Sequence, residues 1–168
     1  MKTLIAYSTL TGNTKKVCEA AAKAFTEVEV KDISTVTTLD YDLIIVGTWI
    51  DKGTADTKAK NFIETIKEKK VAFIYTLGAY PDSKHAEDCT ASIKKLFEDN
   101  KNEVLGHYHC QGAIDPNLIE RMKKMFGPEH PHGPNPERVK RWEDASTHPD
   151  QNDLDAAYNY FKELINRL

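Results

Sequence analysis

Thr3-Leu4-Ile5-Ala6-Tyr7-Ser8-Thr9-Leu10-Thr11-Gly12-Asn13-Thr14 is the stretch on which the fold turns. Its first five residues form a short apolar run that reads as a strand. Helical spacing begins directly after it, with Val17, Ala20, Ala21, Ala24 and Phe25 on one face. Between strand and helix, Ser8, Thr9, Thr11 and Thr14 supply hydroxyls, and Gly12 lets the backbone close on a ligand. A helix N-terminus already offers unpaired N–H groups and partial positive charge. The turn therefore reads as a site for a phosphate dianion that needs no Lys or Arg. An ordinary helix cap needs one hydroxyl, not four. No Gly-Lys-[Ser/Thr] follows, so it is not a Walker loop.

The same alternation continues outward. Val28 to Ile33 reads as an edge strand, and Leu43-Ile44-Ile45-Val46-Gly47 and Val71-Ala72-Phe73-Ile74-Tyr75 as strands covered on both faces. Glu103 to Cys110 is the fifth. Helical spacing runs over Asp56 to Lys69, Lys84 to Asp99 and Asn152 to Leu168. Strands separated by helices imply parallel βαβ units with right-handed crossovers. The expectation is one α/β domain over 1–168: a three-layer sandwich around a five-stranded parallel sheet of order 2-1-3-4-5, with its ligand at the switch point between strands 1 and 3.

Composition is that of an ordinary globular chain, 40% hydrophobic and 29% charged over 168 residues. No apolar run approaches the ~20 residues of a membrane span. The start lacks the pattern of a signal peptide, so the expected location is cytoplasmic. A net charge of −3 with interspersed signs argues against nucleic acid as a partner. Cys18, Cys89 and Cys110 form no CxxC and read as reduced, buried thiols.

One segment interrupts the alternation. Residues 113–151 stand where a short loop is usual. They hold a helix over Asn117 to Phe126, capped by Asp115 with Pro116 in its first turn. A Pro- and Gly-rich loop follows, then a second helix over Pro136 to Ala145. This insertion reads as a helical cap on the ligand side of the sheet. Met122, Met125, Phe126 and Trp142 are its candidates for an apolar cleft, and His130 and His132 sit in the stiff loop between its helices. No Cys or further His stands at zinc spacing. His107 and His109, two apart on a strand, share one side and read as sheet-surface residues. His148-Pro149-Asp150 leads into the last helix.

The hydroxyl-rich loop and the strand order resemble the flavodoxin superfamily over about Met1 to Gly112 and the last helix. The resemblance implies FMN as cofactor. Its phosphate would lie on Ser8, Thr9, Thr11, Gly12, Asn13 and Thr14. Its ring would lie between Thr48-Trp49-Ile50-Asp51-Lys52-Gly53 and the loop carrying Thr76, Leu77, Gly78, Tyr80 and Ser83, with Gln111 and Gly112 also at the site. A flavin needs an aromatic or apolar wall, which Trp49 or Tyr80 can supply, and backbone donors for its pyrimidine edge. Lys52 and Lys84 dilute the acidity usual in short electron carriers, which leaves one- and two-electron chemistry both open.

Trp49-Ile50-Asp51-Lys52-Gly53, Cys110-Gln111-Gly112, Pro131-His132 and His148-Pro149-Asp150 together resemble a narrower group: the capped FMN- and haem-binding flavodoxin-like proteins of anaerobe haem-uptake systems. That likeness implies haem held under the cap, with His132 or alternatively His130 on the iron. It also implies an oxidoreductase passing hydride from reduced FMN to a linear tetrapyrrole derived from haem. No catalytic side chain is nominated. The implied partners are the tetrapyrrole or haem, and a haem-degrading or electron-donating protein. The competing expectations are an electron carrier that docks a redox partner and an NAD(P)H-dependent quinone reductase.

Overall fold

The computed structural model describes all of residues 1–168. Five parallel strands, β1 (Thr3–Tyr7), β2 (Val28–Asp32), β3 (Leu43–Asp51), β5 (Lys70–Leu77) and β6 (Glu103–Gln111), lie in the order β2-β1-β3-β5-β6. A sixth, β4 (Thr54–Ala55), has two residues and pairs antiparallel with the end of β3. Leaving that hairpin aside, the order is the 2-1-3-4-5 expected from sequence.

Period-2 alternation divides the apolar residues of the strands between two cores. Leu4, Ala6, Ile44, Val46, Phe73 and Tyr75 face α2 (Thr57–Thr65) and α3 (Lys84–Glu98), meeting Ala59, Ile63, Cys89, Ile93 and Phe97. Ile5, Leu43, Ile45, Ala72 and Ile74 face α1 (Asn13–Ala22) and α6 (Gln151–Asn166), meeting Val17, Cys18, Ala21, Ala157 and Phe161. Both faces are covered, which is why β3 and β5 read as unbroken apolar runs. All three cysteines are free and buried, and burial pushes each thiol's pKa up. No helix is long and apolar enough to cross a membrane.

Two boundaries differ from the sequence reading. The helix expected to reach Lys69 stops at Thr65. Ile66 leaves it extended yet buried, and Glu68 turns with φ 54°. Asn102 fixes this exit: its amide donates to the carbonyls of Ile66 (2.8 Å) and Phe97 (3.1 Å), and its Oδ1 accepts from the Lys69 amide (3.0 Å). The strand expected to end at Gly47 runs on to Asp51 and folds back through Lys52 (φ 51°) and Gly53 (φ 81°). Two successive positive φ angles mark the tight turn that suits a two-residue hairpin.

Between β6 and α6, where the sequence suggested a helical cap over 113–151, the chain forms two helices, α4 (Pro116–Met125) and α5 (Pro136–Ala145), and Gln151 already belongs to α6. Asp115 caps α4 by accepting from the Asn117 amide (2.9 Å), and Asn135 caps α5 by accepting from the Arg138 amide (2.8 Å). Asp150 and Asp153 close a reciprocal capping box at the start of α6. His107 and His109 stack on Phe73 and Tyr75 along one side of β6, as their spacing requires.

Gly47 sits where β3 passes beneath α1. A Cβ there would collide with the Cys18 sulfur and lie 3.1 Å from Tyr7 Cβ. Gly47→Ala is expected to cost about 1–3 kcal/mol in urea unfolding. Cys18→Ala in the same chain should restore part of the loss; no recovery would mean the sulfur is not the obstacle.

Candidate functional site

The chain leaves β1 at Tyr7 and enters α1 on one face of the sheet, whereas it leaves β3 toward α2 on the other. The crevice between these exits is the topological switch point. A cavity of about 570 Å³ opens there, within the range of small-molecule sites.

Its floor is the loop Ser8–Thr14. Gly12 takes φ 91° and is the N-terminal boundary of α1, with no side-chain cap. Its amide donates to Thr9 Oγ1 (3.0 Å). The amides of Thr9, Leu10, Thr11, Asn13, Thr14 and Lys15 donate to no group of the protein. Thr9, Thr11, Asn13 and Thr14 line the cavity. Bare N–H groups at a helix N-terminus are the donor set a phosphate requires. The hydroxyls play a smaller part than their number implied. Ser8 is buried and its Oγ donates to Asp56 Oδ1 (2.8 Å). Thr14 Oγ1 is paired with Thr76 Oγ1 (2.9 Å). Thr11 alone has a hydroxyl with no partner in the protein.

Asp56, 3% exposed, is the hub beneath this floor. Besides Ser8, it accepts from Thr48 Oγ1 (2.8 Å) and from the amides of Lys58 (3.1 Å) and Ala59 (3.3 Å) at the start of α2. One carboxylate thus joins the exits of β1 and β3 to a helix cap. Thr48, expected at the flavin, is turned inward for this purpose. Gln111 is buried too, its amide donating to the Gly78 carbonyl (3.2 Å). Ser8, Thr48 and Gln111 hold the loops in place and do not line the cavity.

The walls come from the ends of β3, β5 and β6. Trp49 and Ile50 lie on one side; Thr76, Leu77, Gly78, Tyr80 and Ser83 lie on another, with Gly112 beside them. Asp51, Lys52 and Gly53 form the hairpin tip and do not line the cavity. Asn13 Nδ2 donates to the Ala113 carbonyl (3.0 Å), tying the first loop to the base of the cap.

The cap supplies the roof: Ile114, Leu118, Met122, Trp142 and His132. Met125, expected there, is 70% exposed instead. Phe126 stacks on His130 (centroids 4.2 Å apart, 14° between planes), and His130 Nδ1 accepts from the His132 amide (3.1 Å). His130 is therefore engaged in holding its loop, and His132 is the histidine that lines the cavity. Tyr80 fastens the cap to the β5 loop: its hydroxyl donates to Asp144 Oδ2 (2.8 Å), and this bond raises the Tyr80 pKa. Three further lining residues, His85, Arg138 and Arg141, were not singled out from sequence. Arg138 and Arg141, charged residues on a short polar helix, read as a solvated face, and only the fold turns them inward.

Asp56→Ala should remove a helix cap and leave two buried hydroxyls without their acceptor, costing about 2–3 kcal/mol of unfolding free energy. An unchanged urea midpoint would show that the hub is dispensable.

Comparison with known proteins agrees with this architecture. The chain is 32% identical to the flavodoxin-like domain-containing protein BilS of Clostridioides difficile (strain CD3), over 98% of this chain and 97% of that protein. Flavodoxin 2 from Bacillus cereus shares the fold, with TM-score 0.63, 17% identity and complete coverage of both chains. A flavoprotein from Lactobacillus acidophilus NCFM, solved in complex with FMN, superposes with TM-score 0.52 and 17% identity over 71% of this chain and 97% of its own. The flavodoxin domain model matches residues 4–162, nearly the whole sheet and its helices, and the chain belongs to that family.

Proposed function

We propose that this protein binds FMN in the crevice, holds haem beneath its cap, and reduces a haem-derived linear tetrapyrrole with hydride from the reduced flavin. The observation that carries the reading is the continuity of one cavity. The bare amides of Thr9, Leu10, Thr11, Asn13 and Thr14 belong to residues at its floor, and the apolar cap with His132 lies at its roof. The L. acidophilus relative solved with FMN supports the choice of flavin.

The residues present fit such a cofactor. The amides of Thr11, Asn13 and Thr14 and the Thr11 hydroxyl are free to hold a phosphate, favoured by the dipole of α1. Trp49, Leu77 and Tyr80 offer apolar and aromatic wall for a flat ring, and backbone at Gly78 and Ala79 would be available to its edge. Reduced FMN, when bound, supplies the hydride. The chain's own part is to position and to exclude water. Leu118, Met122 and Trp142 present an apolar roof against which a conjugated ligand can lie. His132, exposed and free at its ring nitrogens, is available to ligate a haem iron. No nucleophile is required of the protein.

Three experiments test the reading. Replacing Thr11 and Thr14 together by valine should weaken FMN about tenfold or more while leaving riboflavin affinity nearly unchanged; equal loss for both ligands would overturn the phosphate assignment. Titration of the FMN-loaded protein with haem should give a shifted Soret band. His132→Ala should weaken that binding about tenfold or more, and His130→Ala much less. A spectrum identical to free haem would remove the cap ligand, and failure of the dithionite-reduced protein to bleach biliverdin would remove the reductase activity.

A further inference from the structure

Arg138 and Arg141 stand one turn apart on α5, and both line the cavity. Neither guanidinium has a carboxylate within ion-pair distance, although acids are at hand. Asp144, three residues beyond Arg141, is taken by Lys140 (3.0 Å) and by the Tyr80 hydroxyl. Asp115 lines the cavity but is engaged in capping α4. Glu137, four residues before Arg141, forms no pair with it. The remaining α5 cation, Lys140, is exposed and paired. The helix thus neutralises its outer charge and leaves the two inner ones uncompensated.

Half-buried like charges at this spacing repel, and each loses hydration. Burial, then the charge of Arg141, holds the Arg138 pKa below its ordinary value. An arrangement that is unfavourable in the empty cavity becomes favourable when an anion enters. The planar guanidinium fork matches a carboxylate with two parallel hydrogen bonds. The position of the pair distinguishes it from the phosphate site. The pair belongs to α5 of the cap, whereas the bare amides lie at the start of α1.

Building on the function proposed above, we infer that the ligand under the cap is a dicarboxylate, and that Arg138 and Arg141 select it by binding its two acidic side arms. A tetrapyrrole bearing propionates has the required chemistry: a flat apolar body for Trp142 and Met122, and charged arms for α5. The arginines then orient the conjugated system over the crevice floor while adding little to binding of a neutral analogue.

Biliverdin and biliverdin dimethyl ester are the probes, titrated by visible absorbance into the FMN-loaded protein. The wild type should prefer the free acid by about tenfold or more. Arg138→Gln and Arg141→Gln should each reduce that preference, and the double variant should abolish it with ester affinity unchanged. Preference should also fall with rising salt. A double variant that is folded by circular dichroism and still prefers the acid would overturn the assignment. So would equal binding of acid and ester by the wild type, which leaves the proposed function intact. A wild type that binds neither probe removes that function and this inference with it. Loss of FMN but not riboflavin affinity in Arg141→Gln would assign the pair to the flavin phosphate instead and overturn the proposal.

Discussion

A single buried carboxylate sets the geometry of the crevice. β1 and β3 are adjacent and parallel, and their chains must leave to opposite faces of the sheet. The gap this opens is unavoidably lined with backbone polar groups that no strand can pair. Asp56 closes the lower part, accepting from Ser8, from Thr48 and from two amides of α2. With those groups satisfied internally, the amides of Thr9, Leu10, Thr11, Asn13 and Thr14 remain as unpaired donors on residues that line the cavity. Had Ser8 and Thr48 turned outward instead, the carboxylate would have lost two of its hydrogen bonds. Their inward turn keeps the Asp56 carboxylate satisfied beneath the bare amides at the start of α1.

The sheet was legible in the sequence because its signal is local. Leu43 to Val46 and Val71 to Tyr75 are buried on both faces and show it in consecutive residues. The loop Ser8–Thr14 was legible as the turn between the first strand and the first helix because a strand, a glycine and a helix start lie within twelve residues. What failed to show was anything decided by a distant partner. Ser8 and Asp56 are 48 residues apart, and Gln111 and Gly78 are 33 apart. Composition marks such residues as polar near a site but not as its ligands or its supports. The hairpin at Lys52-Gly53 was missed for a related reason. Trp49 to Asp51 carry no alternation of their own, and β4 is only two residues long. Arg138 and Arg141 could not be separated from a solvated helix face until the fold placed that face over a cavity.

The cap is anchored unequally, and this bears on how a ligand could enter. α5 contributes Trp142 (5% exposed) and Ala145, is joined to Tyr80 through Asp144, and is followed by a backbone bond from Ala113 to the His148 carbonyl (2.8 Å). Ile114 packs so closely on Gly78 that a Cβ there would lie 2.6 Å from it. α4 contributes no buried residue at all. Its inner residues, Leu118 and Met122, face the cavity rather than a core.

Local stability follows buried contacts, so α4 is the cheapest element of the cap to displace and α5 among the dearest. The division suits the chemistry each carries. Charge recognition needs fixed geometry, since the guanidinium fork loses its selectivity when its helix can drift, and Arg138 and Arg141 are on the anchored helix. Apolar contact tolerates adjustment, and Leu118 and Met122 are on the loose one. A flat ligand lying between them would bury the inner face of α4 and give that helix the core it otherwise lacks. On this view α4 is stabilised by what it covers, at about 25 cal/mol for each Å² of apolar surface removed from water. His132 lies in the loop between the two helices and lines the same cavity.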